Sequence, residues 1–185
     1  MKTATAHMKS VSPMCQGAPM ATLKSRDETH AEYEERCWKE RAHVNGDGFV
    51  FIPPMVFKNC LQDAAKYKGT QIPGKGKERY TKHFEAGVMV VEPLVLPVKE
   101  ADIERFHHFV PADGKPGGTK RVWKNFPRFQ RWEGKVQFLV FDEIINEDVF
   151  LQHLQDAGQF IGIGSFRPRN RGYYGRFEVL DVKWS

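Results

Sequence analysis

The sequence predicts an α+β fold. The expected unit is ferredoxin-like (RRM-like), a βαββαβ order whose antiparallel sheet carries two helices on one face, with long basic loops inserted. Three observations lead there. Two amphipathic helical stripes, at residues 57–65 and 149–157, each lie between β-prone runs, so strand–helix–strand occurs twice. The hydrophobic share is 41%, with 12% aromatic residues, enough to bury a core. A length of 185 residues fits one domain, residues 1–185, with insertions at approximately 20–45, 69–84 and 110–134. No solenoid-period repeat and no low-complexity tract competes with this reading.

Residues 2–11 alternate loosely and predict a first strand, closed by the turn-forming SPMCQGAP. Residues 24–41 read as a charged, partly helical insertion that Asp27 or Thr29 can cap. Residues 49–52 (FVFI) are β-prone. Pro54 then opens a helix, where its missing N–H costs nothing, and Phe57, Cys60, Leu61, Ala64 and Ala65 form its apolar stripe. Residues 69–84 read as a glycine-rich basic loop or loose hairpin. Residues 87–96 predict a strand in which Pro93 marks an edge or a bulge. Residues 100–109 suggest a short helix, and residues 111–130 a second basic, loop-like stretch. Residues 135–141 predict a strand. Asn146 caps the second helix, Glu147 and Asp148 suit its positive end, and Gly158 ends it. Residues 160–163 begin the next strand, and residues 176–182 close the sheet.

The net charge of +5 leans toward a polyanionic partner. Cys15, Cys37 and Cys60 are odd in number and widely spaced, which argues against a disulfide scaffold and against a zinc module. The polar N-terminal residues lack an apolar signal core, and no run approaches membrane-spanning length, so a cytoplasmic location and no membrane partner are expected. Asp142, Glu143, Glu147 and Asp148 suit a helix start better than a metal site. No HExxH, Walker or nucleophile-elbow pattern occurs, so neither a metal, a cofactor nor a catalytic residue is expected.

The densest charge lies in GIGSFRPRNRGYYGRF, residues 162–177, with four glycines, four arginines and no acid. Glycines such as Gly164 let a backbone come close to a partner. Arg167, Arg169, Arg171 and Arg176 offer forks that match phosphate, and Tyr173 and Tyr174 offer faces for stacking. The Gly162–Gly164 pair is no dinucleotide motif, because Pro168 and the following glycines prevent an immediate helix. A second basic loop carries Lys75, Lys77, Arg79 and Lys82. The third stretch interleaves Lys115, Lys120, Arg121, Lys124 and Arg128 with Trp123, Phe126 and Phe129. Of Trp123, Phe126, Phe129 and Trp132, at least half are expected in the core.

The glycine-rich, arginine-bearing stretch before the last strand resembles the RAMP superfamily of CRISPR-associated proteins, in particular its Cas7-type members. SPMCQGAP is similar to that family's early turn, and FIPPMVFKNCLQDAAK to its helix entry, with Pro53-Pro54 in place of the usual Pro-Gly. The resemblance implies non-catalytic, sequence-independent binding of single-stranded RNA or DNA. Lys58 would lie near the backbone, and copies would sit side by side as a homo-oligomer or filament. Two alternatives remain: a metal-independent endoribonuclease related to Cas6, acting by general acid–base chemistry at a histidine such as His30, His43 or His83, and an interaction protein or inhibitor that mimics a Cas7-like subunit.

Overall fold

The chain begins at the centre of its principal sheet. In the computed structural model, which describes residues 1–112, 114 and 117–185, β1 (Lys2–Ser10) lies between β8 (Glu133–Val140) and β9 (Phe177–Trp184), with β4 (Val88–Val90) outside β8. All three pairings are antiparallel. The order β4–β8–β1–β9 is that of a ferredoxin-like βαββαβ unit, as the two strand–helix–strand halves predict. Its helices are α2 (Pro54–Lys68) and α4 (Glu147–Asp156).

Alternation along β1 decides which face those helices cover. Ala4, Ala6 and Met8 are fully buried, and they share a face with Val136, Phe138 and Val140 of β8. Phe57, Leu61, Phe150 and Leu154 join them in one hydrophobic cluster. Two alanines at the centre of the sheet leave room for large side chains from the helices. The opposite face presents Thr3, Thr5, His7, Lys9, Lys135, Gln137 and Met89, with no Phe, Tyr or Trp.

Helix starts follow the sequence closely. Pro54 opens α2, and Gly69 ends it in the left-handed conformation (φ 59°). Asn146 caps α4 by accepting from the Val149 N–H at 2.9 Å. Of the two candidates for α1 (His30–Cys37), Thr29 is the cap, completing a reciprocal box with Glu32. Short α3 (Thr81–Ala86) follows the turn at residues 69–80, which closes through a bridge between Gln71 and Arg79.

Five expectations are corrected. Residues 160–163 are no strand: α4 continues past Gly158 into a π-type turn, Ala157–Ile161. Gly158 supplies close approach rather than a stop, since a Cβ there would fall 2.1 Å from the Phe177 carbonyl oxygen. Ile161 and Ile163 are buried two apart, a spacing that mimics a strand. Residues 87–96 divide into β4 and β5 (Leu94–Lys99); the chain leaves one sheet at Pro93 and pairs with β3 (Phe49–Ile52) in another. Residues 100–109 hold only a 3₁₀ turn, Glu100–Asp102, before β6 (Glu104–Pro111). The loop-like basic stretch contains β7 (Arg121–Phe129), which pairs with β6 from Glu104↔Arg128 to Pro111↔Arg121. Together with β2 (Met14–Cys15) these form a three-stranded sheet. Lys115 lies outside the described residues.

Among the described residues, no helix is long and apolar enough to cross a membrane. Phe126, Phe129 and Trp132 are buried, and Trp123 stands 59% exposed, so most of that aromatic set anchors packing.

Candidate nucleic-acid interface

Residues 162–176 fold back on themselves and onto the turn after β1. The Ile163 N–H donates to Gly175 O at 2.9 Å, and the Tyr174 N–H to Phe166 O at 3.0 Å. The Ser165 N–H donates to Cys15 O, and the Gly175 N–H to Pro13 O, both at 2.8 Å. The glycines serve these internal contacts. A Cβ at Gly172 would fall 1.7 Å from Phe166 O, at Gly175 1.9 Å from Ile163 O, and at Gly164 2.3 Å from Cys15 O. The main chain that glycine admits is therefore the protein's own. SPMCQGAP and the glycine-rich stretch, far apart in sequence, form one surface. Cys60 of α2 fastens its base, Sγ lying 3.2 Å from Gly162 O and 3.4 Å from Ala157 O. Burial pushes the Cys60 thiol well up and the Cys15 thiol to about 12, so both act as packing groups.

The four arginines divide. Arg167 reaches Asp63 on α2 at 3.2 Å. Arg176 donates to Gln159 O at 3.3 Å and Tyr173 O at 3.1 Å, which commits it to the loop's own carbonyls. Arg169 lies over the Tyr67 ring, 5.8 Å from its centroid. Arg171, exposed and in the left-handed conformation (φ 62°), points to a groove.

That groove, a cavity of about 700 Å³, runs between the glycine-rich stretch and the β6–β7 hairpin. Arg41, Arg121, Lys124, Arg171 and His108 line it, and among the described residues no carboxylate does. Arg41 is neutralised by Glu34 at 2.6 Å. Arg121 donates to Phe109 O at 2.5 Å and keeps its charge, while Lys124 and Arg171 have no ion-pair partner among the described residues. Burial, with Arg121 nearby, holds the His108 pKa below its ordinary 6.5. At its far end the groove shares Gly17 and Ser165 with a smaller cavity of about 340 Å³, lined by His43, Pro53 and Val56.

Strand alternation sorts the hairpin's side chains. His108, Lys124 and Phe126 face the groove, and Phe166 packs edge-on against His108 (5.0 Å) and Phe126 (4.8 Å). Tyr174 joins this cluster against Phe106 at 5.3 Å. Trp123 faces away and stacks on His107 at 4.6 Å and 5°. Tyr173 is 64% exposed.

The remaining expected residues lie apart from the groove's lining. Lys58 donates to Phe84 O at 2.9 Å and Glu85 O at 2.7 Å, so it closes the C-terminal end of α3, and burial lowers its pKa. Lys82 pairs with Glu78 at 2.5 Å. Lys75, Lys77 and Arg79 are exposed on the turn before α3, with the Arg79 guanidinium beside Gly69. Arg41, His108, Asn170 and Gly17, which the sequence did not single out, line the groove instead. Alternation through residues 104–111 was the signal available for His108; Arg41 sits in a charged run that carried none.

No protein-family model and no curated protein matches this sequence. Among solved structures, a chain from the Type III-B Cmr-beta bound to cognate target RNA matches with a TM-score of 0.51 at 8% identity, over 99% of this chain. This chain spans 60% of that chain's length. A chain from a Cas6 product complex aligns with a TM-score of 0.34 at 13% identity, over 97% of this chain and 50% of that one, a likeness too slight to define a fold.

Proposed function

We propose that the protein binds single-stranded nucleic acid without catalysis, gripping the backbone in the groove between the β6–β7 hairpin and the glycine-rich stretch. One observation carries this reading: Lys124 and Arg171, with Arg121 at the edge, line a cavity of about 700 Å³ that no carboxylate lines among the described residues. Three cations without acids repel one another until phosphates intervene. The groove's polar lining is dominated by cationic side chains, with His108, Asn170 and Ser165 beside them, which suits contact with the backbone more than readout of bases. Within its strands the open face of the principal sheet carries no Phe, Tyr or Trp, with the exposed Phe141 only at the end of β8, which disfavours RRM-style stacking on that sheet. A fold shared with a chain of an RNA-bound assembly supports the same reading, as does the RAMP resemblance, from which side-by-side assembly along a strand follows.

A salt titration of oligouridylate and oligothymidylate binding tests it. The groove's three cations give a log–log slope of about −2, at about −0.7 per neutralised phosphate. Lys124→Gln and Arg171→Gln each flatten the slope by about 0.7 and weaken all sequences alike. A flat salt response, or no affinity for either polymer at low salt, overturns the proposal. Growth of bound particles with strand length, followed by electron microscopy, tests the side-by-side arrangement.

His108 inside the groove and His43 in the adjoining cavity favour one second reading, a metal-independent ribonuclease. Discrete RNA cleavage in the presence of a chelator, lost in His108→Ala or His43→Ala, would favour it over passive binding.

A further inference from the structure

On the α2 side of the glycine-rich stretch lies a second surface that the groove does not use. Tyr67, in the last turn of α2, is 54% exposed, and Phe160, in the π-type turn, is 37% exposed. Their rings stack with centroids 6.0 Å apart and planes at 27°. A cation flanks each ring: Arg169 lies 5.8 Å from the Tyr67 centroid, and Lys68 Nζ lies 5.2 Å from that of Phe160. The sequence is therefore Arg169–Tyr67–Phe160–Lys68, an aromatic pair bracketed by positive charge. The two acids close by are already engaged, Asp63 by Arg167 at 3.2 Å and Asp156 by Lys68 at 3.4 Å.

We propose that this ladder is a stacking platform for unpaired bases, continuing the track of the strand that leaves the groove. The proposal rests on the nucleic-acid reading above. Connection between the two surfaces is direct: Arg169 belongs to the 3₁₀ turn Pro168–Asn170, whose last residue, with Arg171 next to it, lines the groove. A strand whose phosphates meet Lys124 and Arg171 needs to cross only that turn to reach Tyr67. Stacking of a base on an exposed aromatic is stronger than an exposed cation–π contact, so an arriving base displaces the flanking cation. Because every base has a π-face, the platform adds affinity without adding sequence preference. A protein partner fits less well, since it would have to supply an acid for Arg169 and a flat apolar plate beside it.

The test replaces ring faces and keeps apolar bulk. Tyr67→Leu/Phe160→Leu retains the contact between α2 and the π-type turn, and an unchanged thermal midpoint verifies the fold. Binding of fluorescein-labelled oligouridylate to this variant weakens about five- to 150-fold for each stacked base lost, while the salt slope set by the groove stays at the wild-type value. An oligouridylate carrying 2-aminopurine is quenched by the wild type and not by the variant, and Tyr67→Trp deepens the quenching. Equal affinity and equal quenching in wild type and double variant overturn the platform and leave the groove reading standing. No binding by the wild type overturns both.

Discussion

At the scale of single residues, residues of one type take unlike tasks according to what surrounds them. Gly175 (φ 80°) and Gly46 illustrate this: a Cβ at Gly175 would collide with Ile163 O, whereas one at Gly46 meets nothing within 4 Å. Gly175→Ala is expected to cost about 2–3 kcal/mol or more, and Gly46→Ala to be near neutral, as read by urea denaturation. Lys58 is another case. Its ammonium is used by two carbonyls of α3, so Lys58→Met is expected to lower the thermal midpoint and leave the salt slope of strand binding unchanged. His108 gives a pH test. Its pKa in the free protein lies below 6.5, and bound phosphate favours its charged form, so binding takes up a proton. Affinity should therefore rise as pH falls below 6.5, and His108→Ala should flatten that rise in fluorescence anisotropy titrations.

Elements place these residues. α2 does so twice, through Cys60 beneath Gly162 and through Asp63 beside Arg167, so it fixes the base of the glycine-rich stretch. The β6–β7 hairpin supplies the opposite wall, and its period of two divides neighbours Trp123 and Lys124 between opposite faces. Exchanging that alternation is informative. Trp123→Ala should leave the groove's salt slope intact, whereas Lys124→Ala should reduce it by about 0.7. α1 is anchored more locally, and Thr29→Ala, which removes its cap, should cost about 1 kcal/mol of that helix's stability, visible in amide exchange.

For the whole molecule, stability and acid pH are opposed. His43, His108 and the nearly inaccessible His153 all have pKa values lowered, each chiefly by burial. The unfolded chain, with histidines near 6.5, binds more protons than the folded one as pH falls below that value, so stability declines there. His153 stacks on Phe84 at 4.5 Å, and His153→Phe keeps a ring in place while removing one titrating group. The acid limb of the urea midpoint should shallow in that variant.

The chain's local grammar determined the two core helices and where they start. Pro54, Asn146 and the two apolar stripes specify conformations that neighbouring residues alone can satisfy, and the loose alternation of residues 2–11 and the strand expected at 135–141 marked the central strands. Topology followed from their order, because two strand–helix–strand units close a sheet in few ways. Charge and glycine content also marked residues 162–176 as exceptional. Only the tertiary structure decided what the marks were for. Whether an arginine is available depends on carboxylates and carbonyls that arrive from elsewhere, such as Asp63 for Arg167 and Gln159 for Arg176. The groove itself lies between a hairpin at residues 104–129 and the stretch at residues 162–176, joined to the turn at residues 12–17. No periodicity within one segment records which other segment will stand opposite it, and so the residues gathered there could be named only once the chain had folded.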